Sequence, residues 1–423
     1  MSLKYFYKCS NCAKEFSADV IEENLIYLCP SCGKSEKNMP LEGVLNIVYD
    51  YDFLKKKISR NNFLKYSPGN ISDYADLLPF YAENNTGKIN NISAAELKQV
   101  CLSSNSMIQK TFEDRNICFL DETKNPTYSY KDRASVPVAI KAKQMGINSI
   151  SAASTGNAGS SIAGVCAMLG MKSKIFVPKN IPEAKRIQIQ SFGAEIFVVD
   201  GDYDLAFDLC LEVSKEKKWY NRNTAYNPIT IDGKKTSVFD IFIQLEGNIP
   251  DIIFVPTGDG VIISGIHKGF VELQNLGFIE KLPQLFAVQA EGSSAIVDYF
   301  YERKFIYKSA HTIADSISAG APRNLYMAVK SIDESNGSVV KVSDEEILTS
   351  QKVLATNFGF IVEPSCAAAF AGFEKIKKNL SSDVSVLILL TGSGLKDFAA
   401  LKKWNAEPII RSADEIRNLL IDK

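Results

Sequence analysis

From Asn116 onward the chain alternates short β-rich apolar runs with helical stretches, and this alternation restricts the fold more than any other feature. The runs are NICFLDE from Asn116, INSISAAS from Ile147, KIFVP from Lys174, EIFVVD from Glu195, DIIFVP from Asp251, LFAVQA from Leu285 and VLILLT from Val386. Runs this continuously apolar suit parallel strands buried on both faces. Helical stretches lie at 131–145, 157–169, 182–192 and 364–378. Such an order predicts an α/β fold built on open, doubly wound sheets. At 423 residues the chain is long enough for more than one core, so two doubly wound parallel-sheet domains are expected. Residues 46–115 are mixed, rich in Asn, Ser and Tyr, with a helical stretch near 93–103.

The first tenth of the chain reads differently. Cys9-x2-Cys12, sixteen further residues, then Cys29-x2-Cys32 is the spacing of a zinc ribbon. Two such knuckles can set four thiolates around one ion, and so short a segment needs the metal to fold. Gly33 frees the backbone at the second knuckle. The segment has no basic excess, so a structural staple is favoured over a nucleic-acid ribbon. The five other cysteines, Cys101, Cys118, Cys166, Cys210 and Cys366, are scattered, which argues for a reducing cytoplasm rather than a disulfide framework. The formal net charge of −1 gives no reason to expect a nucleic-acid or anionic-membrane partner. No apolar run is long enough to span a bilayer, and the N-terminus does not read as a signal peptide. With only His267 and His311 present, mechanisms built on a histidine base are disfavoured.

In open α/β sheets, ligands bind beyond the carboxyl ends of strands. Three loops stand out there. In NPTYSYKDR, from Asn125 to Arg133, Lys131 opens a helix, where burial and the positive end of the dipole both disfavour its charged form. A neutral amine suits Schiff-base chemistry, although a Lys-Asp-Arg at a helix start is, on local grounds, more often a solvated cluster. In STGNAG, Ser154, Thr155, Gly156 and Asn157 stand at the start of a small-residue helix, and they read equally as an anion site and as a cap. In PTGDGV, Gly258 and Gly260 flank Asp259 ahead of a helix, as in a main-chain phosphate cradle. A fourth loop, LTGSG, exposes the hydroxyl of Thr391.

Together these segments resemble threonine synthases. NPTYSYKDR is similar to their NPTGSFKDR motif, STGNAG to their STGN loop and PTGDGVIISGIHKGF to their PVGNAGNITAYWKGY-type segment. VEPSCAAAFAGF and LLTGSGLKD match VEPASAASLAG and LTGHGLKD, and a zinc-ribbon-like N-terminus occurs in many members. The match runs over nearly the whole chain in the right order. It implies fold type II of the pyridoxal-phosphate (PLP) enzymes, related to the tryptophan synthase β chain. Residues 1–45 would be the zinc-ribbon-like segment and 46–423 the catalytic region, with a smaller subdomain at about 135–235.

By this resemblance Lys131 would carry PLP as a Schiff base and move protons, and Asn157 would bond the cofactor's phenolic oxygen. Ser154, Thr155, Gly156 and Asn157 would hold the substrate carboxylate. Gly258, Asp259, Gly260, Val261 and Ile262 would cradle the cofactor phosphate, and Thr391 would face the pyridine nitrogen. Cys9, Cys12, Cys29 and Cys32 would bind a structural zinc. The implied reaction is O-phospho-L-homoserine plus water giving L-threonine and phosphate, with a small amino-acid substrate and a possible homodimer. Its substrate phosphate needs a second cationic patch, for which Lys124, Lys179, Lys185, Arg186, Lys234 and Arg323 are candidates. Asp259, Val261 and Ile262 stand where the family has Asn, Gly and Asn, and Thr230 replaces the Arg of NPxRxxGQKT. These departures leave three alternatives open: β-elimination from serine, threonine or diaminopropionate; β-replacement of the cysteate synthase type; and a PLP-free scaffold or zinc-ribbon binding protein. Intact Lys131, Asn157 and Thr391 count against the last.

Overall fold

The computed structural model describes residues 5–80, 100–104, 106–113, 115–154, 156–201 and 203–420. Its strands in chain order are β1 Tyr5–Cys9, β2 Glu15–Ser17, β3 Leu45–Tyr49, β4 Met107–Phe112, β5 Arg115–Asp121, β6 Ser149–Ala153, β7 Lys172–Pro178, β8 Glu195–Val199, β9 Tyr220–Asn221, β10 Ile252–Pro256, β11 Gln284–Ala290, β12 Ser338–Val342 and β13 Val386–Leu390. They form three sheets: β2-β1-β3, β12-β11-β10-β13-β5-β4 and β8-β7-β6-β9. Within the six-stranded sheet every pairing is parallel except β4 with β5. The four-stranded sheet is parallel throughout.

Each apolar run singled out in the sequence is a strand. β10 and β13 are buried at every position, because helices cover both faces of the large sheet. The helices predicted between the runs are Asp132–Gln144, Asn157–Met168, Glu183–Ser191 and Pro364–Ile376. In the two larger sheets three strands were not anticipated. β4 and β12 are edge strands, and β9 is two residues long. The helical stretch expected near 93–103 falls largely outside the described residues, and 100–103 are not helical.

The N-terminal segment is not detached from the body. β3 begins at Leu45 and pairs along β1, so the ribbon's sheet crosses the boundary expected at position 45. Its tyrosines reach into the body. Tyr49 donates to Asp232, and Tyr27 accepts the N–H of Asn221 at 2.9 Å. Lys268 donates to the Ile47 carbonyl at 2.6 Å, and the N–H of Leu41 to the Arg323 carbonyl at 3.2 Å. The segment 59–80 is tied in by aromatic packing: Phe63 and Tyr74 lie against Phe239 on the helix Ile229–Gln244. Among the described residues no helix is long and apolar enough to cross a membrane.

Candidate active site

A cavity of about 940 Å³, open to solvent, lies where the two parallel sheets present their carboxyl ends. Its wall brings together Lys131 after β5, Ser154 and Asn157 after β6, Gly258, Asp259, Gly260, Val261 and Ile262 after β10, and Thr391 after β13.

The loop 125–131 is held in place by its neighbours. Tyr130 N–H donates to the Thr391 carbonyl at 2.8 Å, Ser393 N–H to the Tyr128 carbonyl at 3.1 Å, and Ser129 bridges Gly392. Asp132 and Arg133 are fully buried rather than solvated. Asp132 accepts from the Thr127 N–H at 2.7 Å and hydroxyl at 2.5 Å, closing the loop on itself. Arg133 forks onto Glu122 at 2.6 and 2.7 Å and reaches Asp240 at 2.6 Å. Asp240 also accepts from the Gly69 N–H at 2.9 Å and the Tyr74 hydroxyl at 2.5 Å. With its two neighbours committed internally, Lys131 is the member of the triplet left facing the cavity. Burial, then the nearby Arg222 charge, push its amine down to about 8, against the pull of Asp259 and Glu363.

At the second loop, Ser154 Oγ accepts the N–H groups of Gly156 at 3.0 Å and Gly159 at 2.8 Å, so its hydroxyl caps the helix Asn157–Met168. Thr155 lies outside the described residues. Gly156 is not on the cavity wall, and a Cβ there would meet the Lys185 stem at 2.2 Å. Asn157 Nδ2 donates to Glu363 at 2.6 Å and Ser316 Oγ at 3.1 Å, while its Oδ1 is buried with no partner among the described residues. At the third loop, Gly260 has φ +85 and precedes the helix Val261–Asn275. A Cβ on Gly258 would meet Ile317 Cα at 2.8 Å. The Asp259 carboxylate accepts the backbone N–H of Arg323 at 3.1 Å, so one of its oxygens is occupied by main chain.

The basic candidates separate clearly. Lys124, Lys179 and Arg186 are on the surface, pairing with Asp121, Asp200 and Gln190. Arg323 is buried on Asp204 and the Met39 carbonyl. Lys185 is buried behind the cavity wall, bound to the wall residue Asp315 at 2.5 Å and to Glu363 at 3.1 Å. Lys234 is on the cavity wall itself. Thr230 is fully buried and donates to the Asn227 carbonyl at 2.7 Å, one turn back along the chain, rather than facing the cavity.

Three charged residues of this neighbourhood escaped the sequence reading. Glu363 was inside a recognised motif, and an acid ahead of Pro364 at a helix start was its only signal. Asp315 lies in an aperiodic loop, and Arg222 follows a strand too short to read.

Residues 101–392 match the family described as pyridoxal-phosphate dependent enzyme. Threonine synthase of Methanocaldococcus jannaschii is 34% identical over 408 residues, 95% of each chain. The chain belongs to the threonine synthase family of PLP-dependent enzymes. A second relative, threonine synthase of Methanosarcina acetivorans, is 32% identical over 427 residues and 99% of each chain. Among solved structures, maize serine racemase aligns with a TM-score of 0.60 at 21% identity, over 73% of this chain and 95% of that one. Diaminopropionate ammonia lyase from Escherichia coli gives 0.60 at 16%, over 81% and 95%. At these identities the likeness is one of fold, shared between the PLP-dependent threonine synthase family and other PLP enzymes.

The residues present fit the family's cofactor. A lysine amine with a lowered pKa, an amide oxygen with unused capacity and a glycine loop at a helix N-terminus converge on one cavity.

Proposed function

We propose that this enzyme converts O-phospho-L-homoserine and water to L-threonine and phosphate, with PLP held through Lys131. The observation that carries the reading is the meeting, in one cavity, of Lys131, Asn157, the 258–262 loop and Thr391, from loops far apart in sequence. Bound there, the cofactor supplies an electron sink for a carbanion at the substrate Cα.

The chain's own groups do the rest. The N–H groups of the 258–262 loop would receive the cofactor phosphate, Asn157 would meet the phenolic oxygen, and Thr391 would face the ring nitrogen as a neutral hydroxyl. The N–H groups of Asn157 and Ala158, in the first turn of their helix, have no intrahelical acceptor and would orient the substrate carboxylate. With an amine pKa of about 8, Lys131 can take a proton from Cα and return one at a neighbouring carbon near neutral pH. Lys185 is the cation we assign to the substrate phosphate. Against the effect of burial, Glu363 and Asp315 hold its ammonium above the usual range, so it stays charged.

We further propose that Cys9, Cys12, Cys29 and Cys32 hold one structural zinc. Their sulfurs lie within 4.8 Å of one another, with Cys9–Cys32 at 3.4 Å and Cys12–Cys29 at 3.7 Å. A tetrahedron with Zn–S of about 2.3 Å has edges of about 3.8 Å. Backbone N–H groups of Asn11 and Cys12 point at Cys9 Sγ, as thiolates require. The scattered cysteines Cys101, Cys118, Cys166, Cys210 and Cys366, none of them in a disulfide, suit a reducing cytoplasm.

A second reading, β-elimination or β-replacement on a smaller amino acid, is favoured by Thr230 facing away from the cavity and Asp259 lining it. Incubating the protein with phosphohomoserine, phosphoserine, serine and threonine separates the two. Equal release of phosphate and threonine from phosphohomoserine supports the first reading. Keto-acid release from serine or threonine, with phosphohomoserine inert, supports the second.

A further inference from the structure

Lys234 is a lysine without a counter-ion in a place where a counter-ion is expected. Its side chain is 1% exposed and lines the cavity, yet its amine makes no hydrogen bond or ion pair among the described residues. The neighbouring Lys235 shows the contrast, pairing with Asp232 at 3.1 Å and Glu272 at 2.9 Å. An uncompensated buried cation is costly, and a ligand anion would relieve the cost.

Its location says which anion. Lys234 sits on the helix Ile229–Gln244, which two glycines let approach the site. A Cβ on Gly233 would meet the Arg133 carbonyl at 2.1 Å, and one on Gly265 would meet Lys234 Cβ at 2.7 Å. Gly265 is in the second turn of the helix that the 258–262 loop opens. Lys234 therefore packs alongside the phosphate cradle, on the same wall as Asp259. That cradle carries an acid and needs positive charge before it can take a dianion. Burial, then the charges of Lys131 and Arg222, hold the amine well below its usual range, while Asp259 opposes them. A phosphate arriving beside the amine would favour its charged form.

We propose that Lys234 is the cation of the cofactor-phosphate site, donating directly to the phosphate and offsetting Asp259. This rests on the reading that the cavity takes PLP. Lys185 then remains for the substrate phosphate.

The test titrates apoprotein of wild type, Lys234→Gln and Lys234→Arg with PLP and with pyridoxal, which has the same ring and aldehyde but no phosphate. Borohydride fixation after each titration reports whether the label goes to Lys131, independently of Lys234. Lys234→Gln should weaken PLP binding at least tenfold, the size of a lost charge-assisted hydrogen bond, and change pyridoxal binding less than about threefold. Lys234→Arg should restore most of the difference. Because Gln removes a buried amine that has no counter-ion, the apoprotein melting temperature should hold or rise, and the increase produced by PLP should shrink. An unchanged ratio of PLP to pyridoxal affinity overturns the proposal. So does normal PLP binding in Lys234→Gln combined with weaker inhibition of the holoenzyme by inorganic phosphate, which would assign Lys234 to the substrate. A loss affecting both ligands equally, not repaired by arginine, also overturns it.

Discussion

The N-terminal knuckles and the Lys131 loop are both short and dense in reactive side chains, but they are satisfied in opposite ways. In the loop, Asp132 and Arg133 find their partners inside the protein, through Thr127, Glu122 and Asp240, and only Lys131 is left facing open space. In the knuckles, four sulfurs face one another with backbone N–H groups around them and no cationic side chain at their centre among the described residues. The first region is a scaffold that presents one free group. The second is a four-thiol cluster of the kind that a bound ion would hold together. Adjacent charged residues in one motif can thus divide between holding the fold and doing chemistry, and the unsatisfied atoms mark the difference.

The largest effect should come from breaking the ion-dependent region. Chelation, or Cys29→Ser, should remove on the order of 10 kcal/mol of local folding free energy. Hydrogen exchange should then show protection lost across β1 and β3, while the cofactor absorbance persists. The ribbon also touches the cradle through Arg323, which donates its side chain to the Met39 carbonyl and its N–H to Asp259. PLP affinity should therefore fall by a few-fold rather than not at all. Protection that survives chelation would show that the two regions do not differ in the way described.

The internally paired region should break next. Arg133→Met leaves Glu122 and Asp240 buried without their shared cation, and should cost about 3–5 kcal/mol in denaturant unfolding. A cost below about 1 kcal/mol would mean that the network is not the anchor of the loop.

A smaller effect concerns Lys131 itself. Its folded-state pKa of about 8 lies below the ordinary lysine value near 10.4, so below pH 8 the folded apoprotein holds a charge it disfavours. Lys131→Met should make the apoprotein more stable by about 3 kcal/mol at pH 7. Between about pH 8 and 10.4 the unfolded chain keeps the proton that the folded one has lost, so the wild type gains stability and the gap closes. A gap independent of pH would mean that the lysine is not desolvated. Smallest of all, Asp259→Asn keeps an oxygen for the Arg323 N–H and should alter PLP affinity less than about threefold.

The legible parts of the molecule were those with local signals. β10 and β13 are apolar throughout because both faces are covered, and that can be read from five residues. β4 could not be read this way, since an edge strand with Gln109, Lys110 and Thr111 exposed has no apolar run. The clustering of Cys9, Cys12, Cys29 and Cys32 was legible because it is written as spacing. The partners of Arg133 were not, because Asp240 arrives from a distant helix. Nor was the difference between Lys185 and Lys234, or the inward turn of Thr230, since each depends on what a side chain meets after folding.

The central claim is that Lys131 holds the cofactor, and it is most directly tested by borohydride reduction of the purified holoenzyme followed by peptide mapping. The stable label should lie on the peptide containing Lys131 and vanish in Lys131→Ala. Label on Lys234 or any other lysine, or none in a protein that carries bound PLP, would contradict the account.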